Sequence, residues 1–276
     1  AAALRSGRPG RLASHAPPAP RSPCPRPPSC PPRRHAGTLS QRRERLQGFS
    51  EWTRGVRAGE VEPGSREEGM LAAAVRATVR AYPVDREIFD DMLLGLRLDL
   101  DREQIADEAQ LAHYCYCVAG TAGLACVRIW GLRDGADAER ARELALRRGQ
   151  AFQRTNILRD FAEDFDGSPR RVYLPASAFR AHGLTPGELR AWRDPTRCEA
   201  LVREQAGLAR EHYRASAELE TMVDAACATT LWAMTRIYSG LLEQIEADPR
   251  RVVGDAASGG RARLAPATKA TIAIRA

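Results

Sequence analysis

The chain has 276 residues, 43% of them hydrophobic, and a formal net charge of +7, a length that can bury one large core or two small ones. The charge does not signal nucleic-acid binding, because residues 1–43 hold nine arginines and no acid, which leaves about −2 for the rest of the chain. No apolar run is long enough for a transmembrane helix, and no apolar segment follows the basic N-terminus as a secretory signal would require.

Residues 1–40 carry ten of the eighteen prolines, mixed with Arg, Ser, Ala and Gly, and Leu4 and Leu12 are almost the only large apolar residues before Leu39. Such a stretch cannot bury enough surface to offset its ordering entropy. The expected organisation is a disordered tail over residues 1–40 and one helical domain over residues 41–276. The chain starts with Ala, its first methionine is Met70, and the tail has the composition of a GC-rich gene read out of frame or from a misassigned start.

Leu46, Phe49 and Trp52 begin a helical apolar stripe, and a Gly/Glu/Pro loop follows over residues 59–69. A helix is expected over residues 70–80, stopped by Tyr82-Pro83. Asp85 is placed to cap the next, over residues 86–98, with Ile88, Met92, Leu93 and Leu96 on one side. Residues 104–132 read as one long, nearly apolar helix whose small residues Ala119, Gly120, Gly123 and Ala125 permit close packing. Residues 136–165 read as a second. Residues 172–175 look extended, and Thr185-Pro186 starts a helix with proline at its first position. Helices over residues 195–222 and 225–247 complete the pattern, with loop and one short final helix beyond Arg250. The expectation is an all-α, single-domain bundle. Seven cysteines without a CxxC or zinc-like spacing read as core filler in a reducing, cytoplasmic compartment.

Chemistry concentrates in the second long helix. Asn156, Asp160 and Asp164 fall at i, i+4 and i+8, one stripe along a helix face, and Gln153 extends it. Two carboxylates so spaced repel by ~0.2–0.5 kcal/mol when exposed and by more when desolvated. A divalent cation reverses that sign, and carboxylate and amide oxygens with phosphate oxygens suit magnesium. Taken alone, a DxxxD spacing reads first as a solvated face, with Arg154 and Arg159 pairing locally with the aspartates.

Two neighbouring motifs add to it: Tyr114-Cys115-Tyr116-Cys117-Val118-Ala119-Gly120 before it, and Arg171-Val172-Tyr173-Leu174-Pro175 after it. In this order, with Gln153-Arg154-Thr155-Asn156-Ile157-Leu158-Arg159-Asp160 between them, they resemble the squalene/phytoene synthase family. Tyr238, Arg263 and Lys269 extend the resemblance to about residues 42–275. It implies an isoprenoid-synthase-like helical bundle and head-to-head condensation of two prenyl diphosphates, farnesyl or geranylgeranyl, to presqualene diphosphate, squalene or phytoene. By resemblance, Asn156, Asp160 and Asp164 hold Mg2+ (or Mn2+) on the substrate diphosphate, with Asp160 and Asp164 catalytic. Gln153 and Arg159 support that polar end. Arg171 and Tyr173 close over the diphosphate, Tyr114 sits at the ionising carbon as a catalytic residue, and Tyr238 points into the cavity. NADPH is implied only for squalene as product. A water-insoluble product is compatible with peripheral membrane association, and the sequence is silent on oligomeric state. Tyr116, His113, His182 and His212 are read as structural.

The family's first aspartate-rich motif is expected near residues 20–40, where no acid occurs. The bundle is therefore expected to lack its first helices and half of its metal cage. Asp85, Asp90, Asp91, Asp99 and Asp101 match other family positions and are not expected to substitute. The alternative is a catalytically inactive member acting as an assembly or scaffold protein.

Overall fold

The computed structural model describes residues 38–58, 66–82, 84–101 and 104–275. The expected tail up to residue 37, most of the expected loop over residues 59–69, and Pro83 lie outside the described residues. Leu39 and Ser40, assigned to the tail, are instead the first residues of a helix.

Helices α1 (Leu39–Ala58), α2 (Arg66–Ala81) and α3 (Arg86–Asp101) come first. α1 packs against α2 and α3, with Ser50, Thr53 and Val56 on its buried side. Asp85, expected as a cap, is engaged with Arg128 across the bundle at 3.2 Å.

The expected helix over residues 104–132 starts later and is not uniform. Asp107 accepts from the Gln110 amide as N-cap of α4 (Glu108–Cys115). Gln104 pairs instead with Val172 in an isolated parallel bridge. The chain then passes through a π-helical turn, Tyr116–Gly120, into α5 (Thr121–Trp130), which ends at Gly131 with φ +81°. In that wide turn the Thr121 amide donates to the Tyr116 carbonyl, and the Thr121 hydroxyl donates to the Cys117 carbonyl at 2.7 Å.

Helix α6 (Ala138–Asp166) runs for 29 residues through the middle of the bundle, capped by Asp137, which accepts from the Glu139 and Arg140 amides. It packs against α5, the π turn and later helices through Leu144, Ala151, Ile157, Leu158 and Phe161. Arg148 and Arg154 are also buried on it. Arg148 is satisfied by Ser216 Oγ and carbonyl at 2.8 Å each, by Glu220 at 2.9 Å and by Thr235. Arg154 does not pair with the aspartate stripe; it lies on the buried side and pairs with Glu108.

Helices α7 (Ala176–Ala181), α8 (Pro186–Arg190), α9 (Pro195–Ala215), α10 (Leu219–Met222), α11 (Ala225–Ala247) and α12 (Pro266–Arg275) follow, with a 3-10 turn at Pro249–Val253. Thr185 and Glu188 form the capping box of α8, with Pro186 at its start. The helix expected over residues 195–222 breaks at Ser216, whose hydroxyl donates back to the His212 carbonyl and whose own carbonyl is taken by Arg148. Among the described residues there is no strand, only the Gln104–Val172 and Leu132–Val223 bridges. The all-α expectation holds. None of these helices is long and apolar enough to cross a membrane. Cys115, Cys117 and Cys198 are buried free thiols, as core filler would be.

Glycines set how close α6 comes to the π turn. A Cβ on Gly149 would stand 2.8 Å from the Ala119 carbonyl carbon and oxygen and from the Gly120 Cα, all backbone atoms with no rotamer to yield. A Cβ on Gly187 would meet nothing within 4 Å. Gly149→Ala is therefore expected to cost about 1–3 kcal/mol of unfolding free energy, and Gly187→Ala little, as read by denaturant titration. Equal stability of the two variants would contradict the close approach.

Candidate active site

The face of α6 opposite its buried side carries the stripe. Gln153, Asn156, Arg159, Asp160 and Asp164 are all half-buried, whereas Ala151, Thr155, Ile157, Leu158 and Phe161 are buried. The 3.6-residue repeat separates the two sets, so one segment supplies both core and polar wall.

Asp160 is held by two arginines. Arg159 donates to both of its carboxylate oxygens, at 2.6 and 2.8 Å, and Arg261 bridges it to Glu163, the latter at 2.5 Å. Asp164 receives no comparable partner. Burial, reinforced by Asp160 and Glu163 and opposed by Arg171, raises its carboxyl to about 6. The Asn156 Oδ1 is buried and accepts no hydrogen bond. An orphaned amide oxygen and an under-neutralised carboxylate on one stripe with Asp160 form a set of hard oxygen donors, and these residues fit a magnesium ion. Among the described residues no three His, Cys, Asp or Glu side chains are grouped so as to hold a metal ion by themselves. Magnesium held there would draw its remaining ligands from water or phosphate oxygens.

The loop after α6 returns Arg171 and Tyr173 to the stripe. The Arg171 amide donates to the Asp164 carbonyl at 2.9 Å, and the Ile105 amide donates to the Val172 carbonyl at 3.2 Å. Tyr173 stacks on Tyr114 with ring centroids 5.1 Å apart. Its hydroxyl donates to Asp99 at 2.9 Å and accepts from Arg171 at 3.4 Å. These residues line a narrow slot together with Leu98, Gln104, Ile105 and Val172. Burial, then the Asp99 carboxylate, pushes the Tyr173 phenol up to about 12, and the same causes drive Tyr114 well above its ordinary value. Both phenols stay protonated at neutral pH and present a neutral aromatic wall.

Tyr238 of α11 stacks on Phe152 of α6 at 4.6 Å, one turn before Asn156 on the same helix. Tyr116 points elsewhere and binds Asp91 of α3, as its structural reading requires. His182 pairs with Glu204 at 2.7 Å. His212 is depressed to about 4, by burial and then by Arg154.

The sequence-predicted residues thus gather on one polar wall: the α6 stripe in the middle, Tyr114, Arg171 and Tyr173 at one end, and Tyr238 along α11. Three participants were not singled out. Arg261 lies 101 residues from Asp160, a pairing that no local pattern encodes. Phe152 was hidden in the apolar background. Asp99 stood only among acids matching other positions, yet it anchors the tyrosine end.

Because the Asp164 carboxyl is raised in the fold from 3.8 to about 6, its proton stabilises the native state, and that stability is lost as pH rises from about 4 through 6. In metal-free buffer at pH 7, Asp164→Asn is expected to melt above the wild type, and the difference should vanish near pH 4. A variant that melts below wild type at pH 7 would contradict the uncompensated carboxylate.

Comparison with known proteins follows the same lines. The family described as "Squalene/phytoene synthase" matches residues 32–268. Phytoene synthase 1, chloroplastic, of Arabidopsis thaliana is 36% identical over 181 residues, covering 65% of this chain and 42% of that protein. Phytoene synthase 3, chloroplastic, of Zea mays is 35% identical over 185 residues, covering 66% and 43%. The chain spans less than half the length of these relatives. A dehydrosqualene synthase solved in complex with a ligand superposes with a TM-score of 0.70 at 24% identity, over 86% of this chain and 78% of that one. Squalene synthase HpnC from Alicyclobacillus acidocaldarius gives 0.65 at 21% identity, over 78% and 76%. At such identities the structures establish a shared all-α fold.

Proposed function

We propose, from the premise that this chain belongs to the squalene/phytoene synthase family, that it condenses two prenyl diphosphates head to head. The observation that carries this reading is the α6 stripe of Asn156, Asp160 and Asp164, whose Asp164 end lies beside Arg171 and the Tyr114–Tyr173 stack. The substrates are farnesyl or geranylgeranyl diphosphate, and the products presqualene diphosphate and squalene, or phytoene. NADPH is needed only for squalene.

The chemistry demands a polar end and a dry end. Breaking the C–O bond of one prenyl diphosphate leaves diphosphate and an allylic cation; the double bond of the second substrate attacks it to give a tertiary cation, and loss of a proton from C1 of that second substrate to the released diphosphate closes the ring of a cyclopropylcarbinyl diphosphate. Asn156, Asp160 and Asp164 would hold magnesium, which when bound neutralises charge building on the leaving diphosphate. Arg171, Arg159 and Arg261 supply donors to the same anion. Gln153 borders that end. The stacked faces of Tyr114 and Tyr173, and Tyr238 on Phe152, offer aromatic surface to the cation where water would quench it. Neutral phenols are the suitable form, since a phenolate would capture the cation.

A non-catalytic scaffold is the competing reading, favoured by the lack of any acid in residues 1–37. Thermal stability and turnover with magnesium and either prenyl diphosphate separate the two. The expected result is magnesium-dependent stabilisation and a hydrocarbon or cyclopropyl product. Asp164→Ala should lose nearly all turnover. Asp166→Ala should change it little, because the Asp166 carboxylate is engaged by Arg190 at 2.7–3.1 Å at the end of α6. Stabilisation without turnover in the wild-type chain would favour the scaffold; equal turnover of the two variants would remove the stripe from the mechanism.

A further inference from the structure

The loop that carries Arg171 and Tyr173 has little secondary structure of its own. The Val172 bridge fixes its backbone, but a bridge does not fix the rotamers of a phenol and a guanidinium on either side of it. What fixes them comes from α3. Gly95 brings α3 against the π turn so closely that a Cβ there would stand 2.8 Å from Val118 Cγ1 and 2.9 Å from Cys117 Cβ. One turn later on the same helix face, Asp99 enters the slot beside Tyr114, Arg171 and Tyr173.

The hydrogen bonds at Asp99 have a direction. Tyr173 has one proton, and it goes to Asp99 at 2.9 Å. The phenolic oxygen is then left as an acceptor, and Arg171 donates one terminal nitrogen to it at 3.4 Å. Without the carboxylate the phenol would be free to turn, and Arg171 would lose its fixed acceptor. The Nε of Arg171 is buried and donates to nothing, an expensive condition for a guanidinium donor unless a ligand completes it. Arg171 also stands beside Asp164, on whose carboxyl its charge acts, so the free donor lies at the diphosphate end of the stripe.

We propose that Asp99 is a positioning residue for the substrate diphosphate: it orients Tyr173, Tyr173 holds Arg171, and Arg171 keeps its Nε for a phosphate oxygen. The inference rests on the functional reading above and adds to it a carboxylate that touches neither metal nor substrate. The rise of both phenols, by burial and then by the field of Asp99, agrees with a proton kept on the tyrosine side of the bond.

Calorimetric titration of the full chain with magnesium pyrophosphate tests it. Asp99→Ala and Tyr173→Phe are each expected to weaken binding about tenfold, the equivalent of one lost hydrogen bond. The double variant should bind no more weakly than either single one, since both break the same chain of contacts. Asp99→Asn, which keeps an acceptor oxygen for Tyr173, should recover most of the affinity, a rescue that general loosening of α3 would not give. Additive losses, or wild-type affinity in Asp99→Ala, would overturn the proposal and leave the functional reading intact. Should Asp99→Ala fail to fold, unchanged affinity in Tyr173→Phe would overturn it alone. A wild-type chain that does not bind magnesium pyrophosphate would overturn both.

Discussion

A single helix has to be apolar on one side and anionic on the other, and the rest of the molecule is arranged around that constraint. α6 buries Leu144, Ala151, Ile157, Leu158 and Phe161 against the bundle, while its other side gathers Asn156, Asp160, Glu163 and Asp164. Carboxylates crowded on a half-buried face destabilise the fold unless cations compensate them. The chain answers at one end with Arg159 and Arg261 on Asp160, and leaves Asp164 under-compensated at the other. That deficit leaves Asp164 with charge to offer a positively charged ligand.

Burying α6 this deeply requires neighbours without side chains at the contact. Gly149 meets the backbone of Ala119 and Gly120 within the π turn, and Gly123 approaches the Ala145 carbonyl. The π turn widens the α4–α5 helix where these contacts fall, beginning two residues after Tyr114, so packing and site share one local irregularity. π turns are uncommon and frequently accompany functional residues. Here the irregularity begins two residues after Tyr114, which stacks with Tyr173.

The polar wall is also a hierarchy of supports. Tyr114, Asp160 and Asp164 sit on helices. Arg171 and Tyr173 sit on a loop and borrow rigidity from Asp99 on α3 and from the pairing of residues 104–106 with Val172 and α7. Arg148 does comparable work away from the chemistry, tying α6 to Ser216, Glu220 and Thr235. That tie lies one helical turn from the Phe152–Tyr238 stack on both helices. A long-range network of this kind lets a bundle keep a polar interior without dissolving it.

Much of this could be read from the sequence, for a physical reason. Helical periodicity is local, so the i, i+4, i+8 spacing of Asn156, Asp160 and Asp164 put them on one face before any fold was known, and Thr185-Pro186 marks the start of its helix by nearest-neighbour chemistry. The ordered motifs around Tyr114, Asn156 and Arg171 likewise pointed to one family. The tertiary structure decided what depends on residues far apart in the chain. Arg154 turned from a partner of the aspartates into a buried partner of Glu108. The helix over residues 195–222 broke at Ser216, whose carbonyl Arg148 reaches from α6. Arg261 reached Asp160, and Asp99 became the anchor of Tyr173. Spacing along a helix fixes which side chains share a face; only packing between helices fixes what that face meets.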